Sequence, residues 1–510
     1  MADAPQSLPI DALYADFRAA LEAGHVVVTA ATGSGKSTRL PLWTAERGPV
    51  LVVEPRRVAA TSLAAFVAES AGAALGGEVG YAVRADRRYG AQTRILFATP
   101  GVALRWRAEG RITGFAGVVL DEFHERRWDT DLLLALLRTD GEHRLVLTSA
   151  TLEGERLAAE LGGRHLASAG REHPVAVEHC ADQPRQMPAQ RGLAERLAGA
   201  VERGLAETRG DVLAFLPGRG EIERARRALR VSAEVIPLHA TAPLSEQRRA
   251  LNPGSGRRVI LATNVAESSL TVPGVTAVVD AGLERRTQRR NGRTVLSLEA
   301  ISQASAAQRA GRAGRLEPGR CYRLWGRAAP LPESTPPEVL REELTELALA
   351  AACAGHPVDR LAFPDPPRRE SLEQALATLA ELGAVDAAGR ATERGQRLFR
   401  LPVDPVLAHL AVAMPDAPSG GFMADLVAAL SAGSGWIGPP RDPGERQALE
   451  AALGRRCDAT LRVAAVRCDP LPGARVERRA REEARRLAGQ LRDLLGLPAL
   501  PEPAPLEAAA

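Results

Sequence analysis

The sequence predicts an α/β protein: two tandem parallel-sheet lobes, then a winged-helix-like region and a helical C-terminal region. Short runs of Val, Leu and Ile, apolar on both faces, alternate with helix-like stretches through about residue 330, the pattern of strands buried in parallel sheets. These runs fall into two sets. The character changes after Trp325, where the stretch Ala328–Pro337 holds four prolines and reads as a boundary.

The first set comprises Val26–Ala30, Leu51–Val53, Arg94–Ala98, Gly117–Leu120 and Leu145–Thr148. The second comprises Asp211–Leu216, Glu234–Leu238, Arg258–Ala262 and Thr276–Val279, joined to the first near Gly170–Val175. Leu340–Ala354 and Leu372–Leu382 read as amphipathic helices, followed by Gly389–Leu398. Ala474–Leu495 is helical, with Val476, Ala480, Ala484, Leu487, Leu491 and Leu494 on one side. Its opposite, arginine-rich side is either solvated or turned to a polyanion. The expected divisions are 1–170, 171–328, 329–400 and 401–497, with a disordered Pro/Ala-rich tail at 498–510.

A chain of 510 residues is too long for one core, and 45% hydrophobic with 25% charged residues is ordinary for a globular protein. No run approaches the ~20 apolar residues of a membrane helix, and Met1–Pro9 lacks the order of a secretion signal. Cys180, Cys321, Cys353, Cys457 and Cys468 show no metal-ligand spacing and read as reduced thiols of a cytoplasmic protein; a monomer is the expected state. The formal charge of +4 only weakly favours a polyanionic partner. Lys36 is sharper: it is the one lysine among 66 Lys and Arg residues, so the other 65 are arginine. An ammonium kept at one position points to a compact grip that a guanidinium fork cannot supply.

Lys36 lies in Ala30-Ala31-Thr32-Gly33-Ser34-Gly35-Lys36-Ser37-Thr38, between a strand and a helix-like stretch. This is a phosphate loop with Ala30 in the first glycine position. Gly33 and Gly35 let backbone N–H groups turn inward on phosphate oxygens, and the following helix adds its positive end. Lys36 would reach the β/γ-phosphates and the Ser37 hydroxyl a Mg²⁺ ion, so ATP, or another nucleoside triphosphate, is the expected ligand.

Gly117–Leu120 ends in Asp121-Glu122-Phe123-His124-Glu125-Arg126. Two carboxylates at the end of a buried strand are costly without a cation. Asp121 and Glu122 would hold the metal, and Glu122 would also orient and deprotonate the attacking water. In Gln308-Arg309-Ala310-Gly311-Arg312-Ala313-Gly314-Arg315, three arginines recur every third residue, largely on one helix side. They read as fingers for the charge that develops on a γ-phosphate.

These segments resemble motifs I, II, III (Ser149-Ala150-Thr151) and VI of the DEAH/RHA helicases of superfamily 2. Glu54–Ala60 resembles motif Ia, Thr99-Pro100-Gly101 motif Ib, Phe215-Leu216-Pro217-Gly218 motif IV, and Ala262–Ser269 motif V. Phe123 in place of alanine points to the bacterial HrpB-type branch, and the resemblance covers about residues 20–410. It implies RecA-like lobes and ATP hydrolysis coupled to 3′-to-5′ movement on single-stranded RNA or DNA. Arg312 and Arg315 would be the fingers, Gln308 would sit near the γ-phosphate, Asp280 near the nucleotide, and His124 would link the lobes. Thr32, Gly33, Ser34, Gly35, Lys36, Ser37 and Thr38 would bind nucleotide. Arg56, Arg57, Thr99, Gly218, Thr263 and Asn264 would face the nucleic-acid backbone, and Ser149 and Thr151 would couple the two surfaces.

Leu283–Ser297 carries five arginines on two strand-like arms around Asn291-Gly292, a tight-hairpin signal. The resemblance places such a hairpin at a duplex junction, with Arg289 and Arg290 on phosphates; a solvated surface hairpin is the alternative. Phe66 stands where the family often has a base-stacking arginine. No five-stranded pattern of an OB-like domain follows Asp404, so the usual long C-terminal extension is expected to be missing, with either a weaker grip on the strand or a protein partner completing the channel. A nucleic-acid-stimulated ATPase that remodels ribonucleoprotein is the second functional expectation.

Overall fold

The computed structural model describes residues 8–503 and 506, except 32, 85, 151–152, 169–172, 240–241, 243, 255, 268–271, 291–292, 415, 434, 441 and 455–456. The first lobe holds β1 (Val26–Ala30), β2 (Val50–Val53), β3 (Val79–Val83), β4 (Asp86–Arg88), β5 (Ile95–Ala98), β6 (Gly117–Leu120), β7 (Arg144–Ser149) and β8 (Arg164–Ser168). Their order is β4-β3-β5-β2-β6-β7-β1-β8, parallel except between β3 and β4. Strands β6, β7 and β1 are therefore neighbours, so the segments leaving their carboxyl ends meet.

The second lobe is a six-stranded sheet of β9 (Val175–His179), β10 (Asp211–Phe215), β11 (Glu234–Leu238), β12 (Arg258–Ala262), β13 (Val275–Asp280) and a later β16 (Gly319–Arg323). Its order is β11-β12-β10-β13-β16-β9, parallel throughout. Between β13 and β16, β14 (Leu283–Arg290) and β15 (Arg293–Ala300) make an antiparallel hairpin. Its expected turn, Asn291-Gly292, lies outside the described residues.

Every strand read from an apolar run is present, with ends within one residue of the expected ones. Strands β3, β4, β8, β9 and β16 escaped that reading. Of these, β4, β8 and β9 are edge strands with solvated side chains, while Gly80 interrupts β3 and Arg320 interrupts β16. Gly80 is required there, since a Cβ would lie 2.4 Å from the Arg88 carbonyl.

The C-terminal region is built from the helices Thr345–Cys353, Arg369–Glu381, Glu393–Arg400, Pro405–Val412, Ala417–Ser431, Pro443–Ala452, Asp458–Arg467 and Arg478–Leu495. Leu347–Ala351 joins Leu132–Leu137 of the first lobe in one apolar cluster. The chain thus leaves the second lobe and returns to the first. Arg107 and Arg138 fasten that return by donating to the carbonyls of Ala354, at 2.7 Å, and Ala362, at 3.1 Å.

Several expectations change here. The first helix of the region starts at Thr345, not Leu340. The last starts at Arg478, because β18 (Arg475–Val476) pairs with β17 (Ile437–Gly438). Not all of its arginines are on the solvated side: Arg481 and Arg492 are buried, and Arg492 grips buried Asp425 at 2.8 and 2.7 Å. The tail is also held in its described part, for Arg492 and Arg485 donate to the Pro498 and Pro501 carbonyls, each at 2.8 Å. Among the described residues no helix is long and apolar enough to cross a membrane.

Burial, reinforced by the Asp404 and Asp129 carboxylates, pushes Glu346 up to about 7. A raised carboxyl value gives stability that is complete below the unfolded value and lost as pH climbs through about 7. The melting temperature of Glu346→Gln relative to the parent is therefore expected to rise between about pH 5 and about pH 8. A difference that stays flat over that range would contradict this.

Candidate active site

The loop after β1 curls through two glycines with positive φ, Gly33 at 87° and Gly35 at 99°. A side chain on Gly35 would also meet Leu8, with its Cβ 2.7 Å from Cδ1. The helix Lys36–Thr44 follows directly. Lys36 is 4% exposed, and its ammonium donates to the Ala30 carbonyl and, at 3.1 Å, to that of Ala31. Burial pushes the ammonium below its ordinary value; Glu122 and Asp121 oppose that, and Arg315 and Arg312 add to it. Ser37 is half-buried, and the Thr38 hydroxyl donates to the Gly35 carbonyl at 3.0 Å. Thr32 lies outside the described residues.

At the end of β6, Asp121 is fully buried, and its Oδ1 accepts from the Thr148 hydroxyl and, at 3.0 Å, from the Glu122 N–H. Glu122 has φ 50°, and Arg126 has φ 46°. Such left-handed non-glycine residues cost about 1–3 kcal/mol each and persist only where their surroundings fix them. His124 Nδ1 lies 3.3 Å from Glu122 Oε2 and accepts from the Ala150 N–H at 3.3 Å, linking β6 to the end of β7. Ser149 is buried; Thr151 lies outside the described residues. Two members of the site were not singled out in the sequence. Thr148 is one, and the other is Glu54 at the end of β2, fully buried and pushed well above the usual carboxyl range by burial and by Asp121 and Glu122.

The second lobe supplies cations to this cleft. An Arg315 Nη stands 3.7 Å from where a Gly33 Cβ would lie. Arg312 is buried and donates to the Glu267 carbonyl; burial, then Arg315, push its guanidinium well below its ordinary value. The regular helix ends at Gly311, so Arg309 turns inward instead of joining the other two. It pairs with Glu267 at 2.8 Å and Asp280 at 3.1 Å and lies over the Phe215 ring at 4.9 Å. Asp280, expected near the nucleotide, meets Arg309 and, at 2.9 Å, the Gly282 N–H through Oδ1, while its Oδ2 is buried without a hydrogen-bond partner among the described residues.

Asp121 Oδ2, Ser34 Oγ, His124 Nε2 and Gln308 Nε2 are buried without a hydrogen-bond partner among the described residues. Leaving such a group unmet costs about 1–3 kcal/mol. A magnesium nucleotide offers an anion for the cations and hydroxyl and a cation for Asp121, so the residues present fit it.

The residues expected along a nucleic-acid strand are spread over both lobes. Arg56 bridges them already: it pairs with Glu125 at 2.9 Å and donates to the Asn264 and Val265 carbonyls at 3.4 and 3.3 Å. Arg57 lies 3.5 Å from Glu483 on the last helix. Thr99 precedes the helix Pro100–Ala108, and Thr263 and exposed Asn264 follow β12. Gly218 is buried against Arg285, whose Nε is 2.8 Å from the place of a Cβ. Arg289 and Arg290 lie on β14; their side chains fall outside the described residues.

Replacing Arg309 with Ala leaves buried Asp280 and half-buried Glu267 without their cation. A loss of about 3–5 kcal/mol in unfolding free energy is expected, read by urea denaturation. A loss below ~1 kcal/mol would show that the network does not hold the lobe.

The description "DEAD/DEAH box helicase" matches residues 15–159, and "Helicase conserved C-terminal domain" matches 194–317. The chain is 36% identical over 447 residues to the ATP-dependent RNA helicase HrpB of Escherichia coli, covering 83% of this chain and 54% of that protein. It is 34% identical over 482 residues to the ATP-dependent RNA helicase HrpA homolog of Haemophilus influenzae, covering 89% and 36%. The chain thus spans about a third to a half of these curated relatives. The crystal structure of the Escherichia coli DEAH/RHA helicase HrpB superposes with a TM-score of 0.80 at 32% identity, over 98% of this chain and 62% of that one. With the phosphate loop, the acidic strand end and the facing arginines in one cleft, the chain belongs to the DEAD/DEAH box helicase family.

Proposed function

We propose that this chain is an ATP-dependent helicase or translocase that moves 3′ to 5′ on single-stranded RNA. The supporting observation is the approach of Arg315 to Gly33 across the cleft, which sets guanidinium groups of one lobe against the phosphate loop of the other. Lys36 and the loop N–H groups hold the phosphates. Ser37 and Asp121 hold Mg²⁺, which when bound offsets phosphate charge. Glu122 takes the proton of the attacking water, with His124 beside it, and Gln308, Arg312 and Arg315 stabilise the charge that develops. Hydrolysis alters the cleft that Arg56 spans, and Thr99, Gly218, Thr263 and Asn264 carry the change to the strand. RNA is preferred over DNA because the relatives are named RNA helicases. The reading divides the chain into RecA-like domains at 1–170 and 171–328, a winged helix at 329–400 and a ratchet-like bundle at 401–497. It also takes the protein as a cytoplasmic monomer.

Lys36→Ala and Glu122→Gln are expected to lower RNA-stimulated ATP hydrolysis by at least ~10³-fold, while Glu122→Gln still binds nucleotide. Turnover by both variants at the parent rate would refute the site. Replacing Arg289 and Arg290 with Ser should slow duplex opening more than basal hydrolysis; equal loss of both would count against a junction role. Parent hydrolysis stimulated by single strands with no opening of any duplex would select the remodelling ATPase instead.

A further inference from the structure

Five residues after β6 run Glu122-Phe123-His124-Glu125-Arg126, and both ends of this segment are left-handed without being glycine. Between them is one short 3-10 turn, Phe123–Glu125, closed by the Glu125 N–H on the Glu122 carbonyl at 2.9 Å and the Arg126 N–H on the Phe123 carbonyl at 3.0 Å. Nothing in so short a turn favours two strained ends, so the surroundings must impose them. Arg126 shows how. Its side chain is 7% exposed and its guanidinium reaches two carboxylates at once. Nε and one Nη donate to Asp131 at 3.1 and 3.0 Å, and the other Nη lies 2.8 Å from Asp365. The guanidinium also covers the Phe123 ring at 5.6 Å. The Arg126 carbonyl accepts from the Glu338 N–H at 2.9 Å, and the Glu338 carboxylate accepts from the Trp128 N–H at 3.1 Å.

Asp131 belongs to the first lobe, whereas Glu338 and Asp365 come from the chain after the second lobe, where it returns to pack on the first. The far anchors of the turn that starts at Glu122 are therefore supplied by the C-terminal region. We infer that Asp365 is a positioning residue for Glu122: by holding the Arg126 guanidinium opposite Asp131, it fixes the turn that aims the hydrolytic carboxylate. The inference rests on the role proposed for Glu122. It makes hydrolysis depend on the seating of the C-terminal region, so whatever shifts that region reaches the water-activating group through Arg126, which both Asp365 and the Glu338 N–H hold.

The test uses the full chain with Asp365→Asn, Asp365→Ala and Asp365→Glu, alongside Arg126→Ala and the double variant Arg126→Ala with Asp365→Ala. Asp365→Asn and Asp365→Ala are expected to lower kcat for ATP about tenfold or more while KM and the affinity for a fluorescent ATP analogue change less than about twofold. Asp365→Glu should recover most of the rate, and the double variant should be no slower than Arg126→Ala alone. Melting curves give the folded fraction at the assay temperature, so kcat is expressed per folded molecule. Unchanged kcat in Asp365→Asn, or a loss that vanishes on that correction, overturns the inference. An absence of ATP hydrolysis by the parent chain would instead overturn the proposed function.

Discussion

Charges of both signs, taken out of water and set face to face across the cleft, constrain everything else in this molecule. Lys36, Asp121 and Glu122 belong to one lobe, and Arg312 to the other; each is nearly inaccessible to solvent. Buried ions contribute little net stability, because desolvation cancels most of their attraction, but they penalise any other arrangement heavily. Each lobe therefore carries an internal network that fixes its half of the cleft. In the second lobe Arg309 ties β13 to the segment after β12 through Asp280 and Glu267. In the first, Thr148 and Asp121 tie β7 to β6. The lobes can then move as bodies without losing the aim of the groups they carry.

The sequence made part of this legible because parallel strands buried on both faces are apolar throughout, and because reactive residues sit immediately after such strands. Lys36, Asp121 and Ser149 are found that way from β1, β6 and β7. Edge strands carried no such signal, since β8 and β9 have one side in water. Glu54 and Thr148 were hidden for another reason. Their nearness to Asp121 follows from the order β2-β6-β7, which no local pattern encodes. Asp365 is hidden further, behind the return of the chain to the first lobe. The spacing of Arg309, Arg312 and Arg315 suggested three equivalent groups; the end of the regular helix at Gly311 separates the first from the others.

The arginine bias acquires a structural meaning. Arg258, fully buried, donates to Asp211 and to the carbonyls of Arg249, Asn252 and Pro273. Arg492 joins Asp425 to the Gly421 and Pro498 carbonyls. A planar fork with five donors in fixed directions can staple more acceptors than an ammonium with three.

The same bias leaves the chain with a single side-chain amine, at Lys36. Acylating chemistry aimed at lysine, whether enzymatic or by a laboratory ester, has one side-chain target in this sequence. No surface lysine competes for the reagent, and the target is sunk in the loop at 4% exposure. Labelling of that amine thus reports on one place alone, and its rate measures how often the loop opens to solvent.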